Sequence, residues 1–381
     1  MAKHLVLVGG GHAHLVSLKA LQSIRNRGHQ ITLISLSPYH YYSGMGPGLL
    51  SGIYQPREVR FHIKRLAENR GATFLQGKVI KIDPDQKRLL LSSGETVTYD
   101  VVSFNTGSEV PLESLTPSPG ENVIPVKPIT NLLKIRSFLL EAIKKNKVMN
   151  LVVIGGGPAG TEISANLWRL FHENRGNGKI TLLGGRRPMG DAPDKVRSLV
   201  LNSLVGRGLN VIEGTYAKAI ENGMVTLSDG RKVPFDVAFV ATGTRPPSLF
   251  RDSGLPISAD GGLLVNAHLQ SVRYADIFGG GDCVSLEGQS LARVGVYAVR
   301  EGPILYRNLL AALEGTDLRT FEPQKFVLLI LNMGNGQGIF WKKSWVWKSR
   351  LGFLLKDYID RRFMKKFQIS GELTEQDDCD E

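Results

Sequence analysis

Cysteine is almost missing from this chain. Cys283 and Cys379 are the only two among 381 residues, and they form no CxxC or CxxxxC pair. A disulfide framework and a redox-active dithiol are thereby excluded, and a reduced, cytoplasmic setting is favoured. Long apolar runs are also missing. None approaches the roughly 18 residues that a membrane-spanning helix needs, and no signal peptide precedes the first apolar stretch. No metal is expected. Carboxylates are short in supply, with 35 acidic against 47 basic residues and a net charge of +12. An excess of this size suits an anionic partner, but it is concentrated in one place. Residues 341–367 carry nine basic side chains against Asp357 and Asp360. No recognition motif for nucleic acid accompanies that charge, so nucleic acid is not expected as a partner. The last eleven residues, GELTEQDDCDE, are acidic and read as a frayed tail.

Glycine, by contrast, is abundant at 43 residues, and it gathers in short runs after apolar stretches. HLVLV and QITLISL read as buried parallel strands flanking a helix over 13–27, a βαβ unit that turns on Gly9, Gly10 and Gly11. The pattern restarts 146 residues later. MNLVVIGGGPAG is strand then turn, TEISANLWRLFHE is helix, and KITLLGG is strand. Alternating hairpins follow each unit, and each ends in Thr-Gly, at Thr106–Gly107 and Thr242–Gly243. The expected fold is therefore α/β, with two doubly wound Rossmann-like modules and a basic amphipathic C-terminal segment. Residues 1–110 and 245–325 form the first module in two parts, 111–244 form the second, and 326–381 form the C-terminal segment.

In such a turn the first glycine makes the bend and the second lets backbone approach a pyrophosphate on the helix N-terminus. Gly9 and Gly11 fill these places, as do Gly155 and Gly157, and Gly160 adds close helix–strand packing in the second copy. The first copy has His14 there instead. His12 and His14 would favour a pyrophosphate if protonated, or else pack as neutral rings at the helix start. The acidic residue expected at the end of the second strand is replaced by Ser35 in one copy and by Gly184 in the other. Arg186 and Arg187 follow Gly184, a pattern that accommodates a 2′-phosphate and slightly favours NADPH over NADH. Ligand-free surface arginines are the competing reading.

These residues, with YADIFGGGDCV at 274–284, resemble the two-dinucleotide-binding-domain flavoproteins, the superfamily of glutathione reductase and type II NADH dehydrogenase. GGGHAH followed by SPYHYYSGMGPGLLSG is similar to the flavoprotein segment fused to selenophosphate synthetase. The resemblance implies FAD and NAD(P)H as cofactors. It puts FAD beside Gly9, Gly10, Gly11, His12, Ser35, Gly44, Val79, Thr106, Gly107, Asp282 and Val296, with Asp282 on the ribityl chain. A turn aspartate capping its own backbone is the bland alternative for Asp282. ARVGVYAVREGP at 292–303 corresponds to the helix whose N-terminus faces the flavin. The nucleotide would contact Gly155, Gly157, Gly160, Arg186, Thr242 and Gly243. Glu162 matches a glutamate near flavin and nicotinamide, for proton handling or orientation; otherwise it is a solvent-facing glutamate complementing the helix dipole.

With no thiol at SGMGPG, disulfide chemistry drops out, and the resemblance implies electron transfer from NAD(P)H to a quinone or another small-molecule acceptor. Three alternatives stand beside it: a soluble electron-transfer partner or sensor, including one that delivers electrons in selenium metabolism; a sulfide:quinone-like enzyme; or a binding protein with vestigial sites. Between 341 and 367, Trp341, Trp345 and Trp347 interleave with lysines, and Leu351, Leu355, Ile359, Phe363 and Phe367 step by four. This suits an anionic membrane surface, or a helix packing its stripe on the protein. A homodimer is left open.

Overall fold

The computed structural model describes residues 1–113, 115 and 122–375. Two five-stranded parallel sheets organise it. In the first, Ile277–Gly279, Val101–Phe104, His4–Val8, Gln30–Ser35 and Thr73–Gln76 lie side by side in that order. In the second the order is Val123–Pro125, Val237–Val240, Val148–Ile154, Asn177–Leu183 and Asn210–Ile212. Continuous apolar runs make such strands because both faces of the sheet are covered. Leu5, Val6 and Leu7 are fully buried, as are Leu151 and Val153. Burying each such side chain contributes about 1.5–3 kcal/mol.

Each sheet carries a three-stranded antiparallel sheet beside it. Val79–Asp83, Arg88–Leu91 and Thr96–Thr98 make the first, and Ala217–Glu221, Met224–Leu227 and Lys232–Pro234 the second. The proline-rich stretch from Pro111 to Pro128 is more than a bridge, because Val123–Pro125 adds the edge strand of the second sheet. Proline is tolerated at such an edge. Part of that stretch (114 and 116–121) lies outside the described residues.

Two local expectations need correction, and the C-terminal segment gains detail. The single helix over 13–27 is two short helices, Leu15–Lys19 and Leu21–Arg25. The Ala20 N–H is shared between the Val16 and Ser17 carbonyls, which tightens one turn without ending the run. The tryptophans of the C-terminal segment do not share a helix. Leu329–Asn332, Gly338–Lys342 and Trp345–Ser349 form an antiparallel sheet, and only then does the helix Arg350–Phe367 begin, capped by the Ser349 hydroxyl. The acidic tail is docked through Glu375, while 376–381 lie outside the described residues. Glu372 accepts from the His62 and Ser370 N–H groups, and Glu375 pairs with Arg60 and Arg65. Among the described residues no helix is long and apolar enough to cross a membrane.

Candidate functional site

The order of the first sheet brings three strand ends together at its carboxyl edge. Gly9–Gly11 follow His4–Val8, Asn105–Gly107 follow Val101–Phe104, and Gly280–Asp282 follow Ile277–Gly279. Ligands of doubly wound sheets gather at this edge. Asn105, which the sequence reading passed over, staples the three. Its Oδ1 accepts from Ala13 N at 3.0 Å, and its Nδ2 donates to Gly280 O at 2.6 Å. This close approach dictates the glycines. A Cβ on Gly9 would lie 2.3 Å from Asn105 O, one on Gly11 2.3 Å from Asn105 Oδ1, and one on Gly10 2.4 Å from Ile63 Cδ1.

His14 is a packed core residue. Its Nδ1 lies 2.6 Å from Gly9 O and its Nε2 2.8 Å from Ser103 Oγ. Burial lowers its pKa to about 4, so the ring is neutral at physiological pH. A carbonyl can only accept, so Nδ1 donates to Gly9 O and Nε2 accepts from the Ser103 hydroxyl. His12 is held neutral in the same way, by burial and by Lys127, with its pKa near 4. Its ring packs against His40, Tyr42 and Phe363. The protonated imidazoles that would attract a pyrophosphate are therefore not the forms this environment keeps.

Asp282 does not cap its own turn. Its Oδ2 accepts from Ser108 Oγ at 2.8 Å and from Lys127 Nζ at 2.7 Å, and the side chain remains 15% exposed. Gly107 sits at φ +73° over open space. Ser35 ends the second strand and Val79 begins the first antiparallel one. Val296 lies in the first turn of the helix Gly295–Glu314, whose N-terminus has no side-chain cap. Its free N–H groups are available to an acceptor. Cys283 is fully buried and its thiol is pushed up to about 11 by burial, so it is chemically quiet.

The second module repeats the layout. Gly155, at φ +125°, would place a Cβ 2.4 Å from Ala241 O, and Gly160 would place one 1.8 Å from Gly155 O. Gly157 faces open space at the uncapped N-terminus of the helix Pro158–Glu173. Thr242 and Gly243 follow the neighbouring strand, and the Thr242 hydroxyl is buried without a partner. Arg186 is exposed, whereas Arg187 pairs with Asp194. The exposed Tyr216 ring lies beside Gly185, where an added Cβ would meet it at 3.3 Å.

Glu162 is neither solvent-facing nor alone. Its Oε1 accepts from Asn332 N at 2.7 Å, where the C-terminal sheet meets its helix. Burial raises its pKa to about 7, against the opposing pull of Lys356. Lys356 and Asp360, missed in the sequence as mere members of a charged run, lie on the buried side of the C-terminal helix. The Lys356 side chain is 11% exposed and the Asp360 side chain 6%. Lys356 Nζ donates to Gly44 O at 2.8 Å and to Asp360 Oδ2 at 2.6 Å, while Tyr42 donates to Asp360 Oδ1 at 3.1 Å. Burial opposes the lysine charge, but Asp360 and Glu162 outweigh it and raise its pKa. One signal was legible: a Lys–Asp pair at i,i+4 sharing a helix side with Gly352, Met364 and Phe367. The first module, the second module and the C-terminal helix thus meet in one polar cluster, in which no thiol takes part among the described residues.

Comparison with known proteins shows the family and the fold. The chain is 26% identical to ferroptosis suppressor protein 1 of Xenopus tropicalis, across 88% of this chain and 87% of the relative. It is 23% identical to the type II NADH:quinone oxidoreductase of Haemophilus influenzae, across 84% and 83% of the two chains. Demethylphylloquinone reductase NdbB of Synechocystis is 26% identical, across 73% and 71%. Among solved structures, NDH2 from Plasmodium falciparum in complex with NADH superposes with a TM-score of 0.81 at 15% identity, covering 98% of each chain. The sulfide:quinone oxidoreductase of Aquifex aeolicus gives 0.78 at 20% identity, covering 97% and 92%. The profile of the pyridine nucleotide-disulphide oxidoreductase family matches residues 3–302, more than three quarters of the chain, and the protein belongs to that family.

Proposed function

We propose that this protein is an FAD-dependent NAD(P)H dehydrogenase that passes electrons to a quinone without a redox disulfide. The observation that carries the reading is the cluster of Tyr42, Glu162, Lys356 and Asp360. It joins the first module, the helix after the second glycine turn and the C-terminal helix, and no thiol takes part in it among the described residues. The first edge suits FAD. Gly9, Gly10, Gly11, Thr106 and Gly107 offer backbone, Asp282 offers a partly exposed carboxylate for a ribityl hydroxyl, and Ser35, Gly44, Val79 and Val296 complete the lining. Gly155, Gly157, Gly160, Thr242 and Gly243 suit the nicotinamide nucleotide, with Arg186 free for a 2′-phosphate. The chemistry that bound FAD would supply is hydride acceptance from NAD(P)H and electron release to the acceptor. Glu162, poised near pH 7, is suited to hold or release a proton beside it. The relatives named for quinone reduction support the same acceptor class. A sulfide:quinone-like route needs a reactive cysteine pair, and Cys283 is fully buried with its thiol pushed up to about 11.

The acceptor would arrive from a membrane. Trp345, Leu351, Leu354 and Tyr358 are 57–73% exposed, and they are flanked by Lys342, Lys343, Lys348, Arg350, Arg361 and Arg362. Each basic residue near an anionic surface contributes on the order of 1 kcal/mol. The test is steady-state oxidation of NADH and of NADPH by the FAD-loaded protein, with a short-chain quinone. Turnover that needs the quinone is expected, with Arg186→Ala weakening NADPH more than NADH. Nucleotide oxidation that quinone fails to stimulate would refute the assignment.

A further inference from the structure

We propose that Asp360 and Tyr42 are positioning residues that hold Lys356 at the acceptor side, so that the C-terminal helix builds part of the site as well as carrying the membrane-facing surface. The inference rests on the quinone-reductase reading above.

The geometry is specific. Lys356 has two partners, Gly44 O at 2.8 Å and Asp360 Oδ2 at 2.6 Å, which fix its ammonium between the first module and its own helix. The other Asp360 oxygen is occupied by the Tyr42 hydroxyl at 3.1 Å. Tyr42 is itself held by ring contacts, to Phe363 at 4.9 Å and to His12 at 5.2 Å between centroids. Asp360 is therefore locked from both sides, and Lys356 has little freedom to swing away. Of the polar groups facing this ammonium, Glu162 and Asp357 also act on it electrostatically. A buried lysine and aspartate on a helix that only anchored the protein would be a poor solution, since burying a pair of charges seldom adds stability over apolar residues. Their place on the one helix side that meets Gly44 and Glu162 points to a use. A quinone takes up two electrons and two protons. A held ammonium beside the acceptor stabilises the charge that develops on its oxygen and can supply one proton, which water returns to the amine. Glu162 or water supplies the second proton, and the two electrons come from the NAD(P)H hydride by way of the flavin.

The test compares two acceptors in the FAD-loaded full-length protein. A quinone needs protons, whereas ferricyanide takes single electrons and no proton. Asp360→Asn is expected to lower quinone turnover about tenfold while leaving the ferricyanide rate within a factor of two. Asp360→Glu should recover much of the loss, and Tyr42→Phe should cause a smaller version of it. In Lys356→Ala, added ethylammonium should restore quinone turnover, and the double variant Lys356→Ala with Asp360→Asn should not respond. If Asp360→Asn matches the parent, or loses both acceptors equally, the positioning role is wrong while the enzyme assignment stands. A parent protein that reduces ferricyanide but never quinone would overturn the functional reading and this assignment with it.

Discussion

His14 stands where a third glycine would have completed the first turn, and its contacts say why the turn survives. The ring bridges Gly9 O and Ser103 Oγ, tying the loop to the next strand where a glycine would only have allowed close packing. Restoring glycine should therefore harm the protein. His14→Gly leaves a void and an unpaired Ser103 hydroxyl, and is expected to cost about 2–4 kcal/mol in denaturant unfolding. Unchanged stability would show that the bridge contributes nothing. The sequence revealed the glycines, whose spacing is local, but it left the histidine open because its partner lies 89 residues away. Glu162 gives a second prediction at this scale. With a pKa near 7 it is protonated below that pH and a carboxylate above it. Quinone turnover should fall as pH rises through about 7, and Glu162→Gln should flatten that limb. A parent profile without a limb there would remove Glu162 from proton handling.

At the scale of elements, the C-terminal helix shows where reading the sequence by steps of four fails. Each step of four turns an α-helix about 40° past a full circle, so Leu351 and Phe367 are about 160° apart. The structure separates them accordingly: Leu351 is 70% exposed and Phe367 is 2% exposed. One apparent stripe is in fact two faces. The inner face carries Gly352, Lys356, Asp360, Met364 and Phe367, and the outer face Leu351, Leu354 and Tyr358. The two should separate in experiment. Changing Leu351, Leu354 and Tyr358 together to serine is expected to abolish co-sedimentation with anionic vesicles and leave turnover with a soluble quinone intact. Retained vesicle binding would mean that the outer face is not the docking surface.

Over the whole molecule, the duplication was legible because each copy is a local strand–turn–helix pattern. The docked tail was not, since Glu372 and Glu375 find His62, Arg60 and Arg65 some 310 residues away. Buried titratable groups set the response of the entire fold to pH. His4, His12, His14, His40 and His62 all have lowered pKa values, mainly through burial. Their contribution is present above the unfolded value of about 6.5 and is lost as pH falls through their lowered folded values, which for His12 and His14 lie at about 4. Glu162 and Glu301, raised to about 7 by burial, act oppositely. Their contribution is full below the unfolded value of 4.5 and is lost as pH rises through about 7. Five histidines against two glutamates predict a melting temperature that falls between about pH 7 and pH 5. A rise over that interval would show that the glutamates dominate.

The central claim is that hydride enters from NAD(P)H and leaves as electrons to a quinone through one FAD per chain. An anaerobic titration of the purified yellow protein tests it most directly. One equivalent of NADH or NADPH should bleach the flavin band, and one equivalent of quinone should then restore it without oxygen. A flavin that neither nucleotide bleaches, or that stays bleached when quinone is added, would contradict the account.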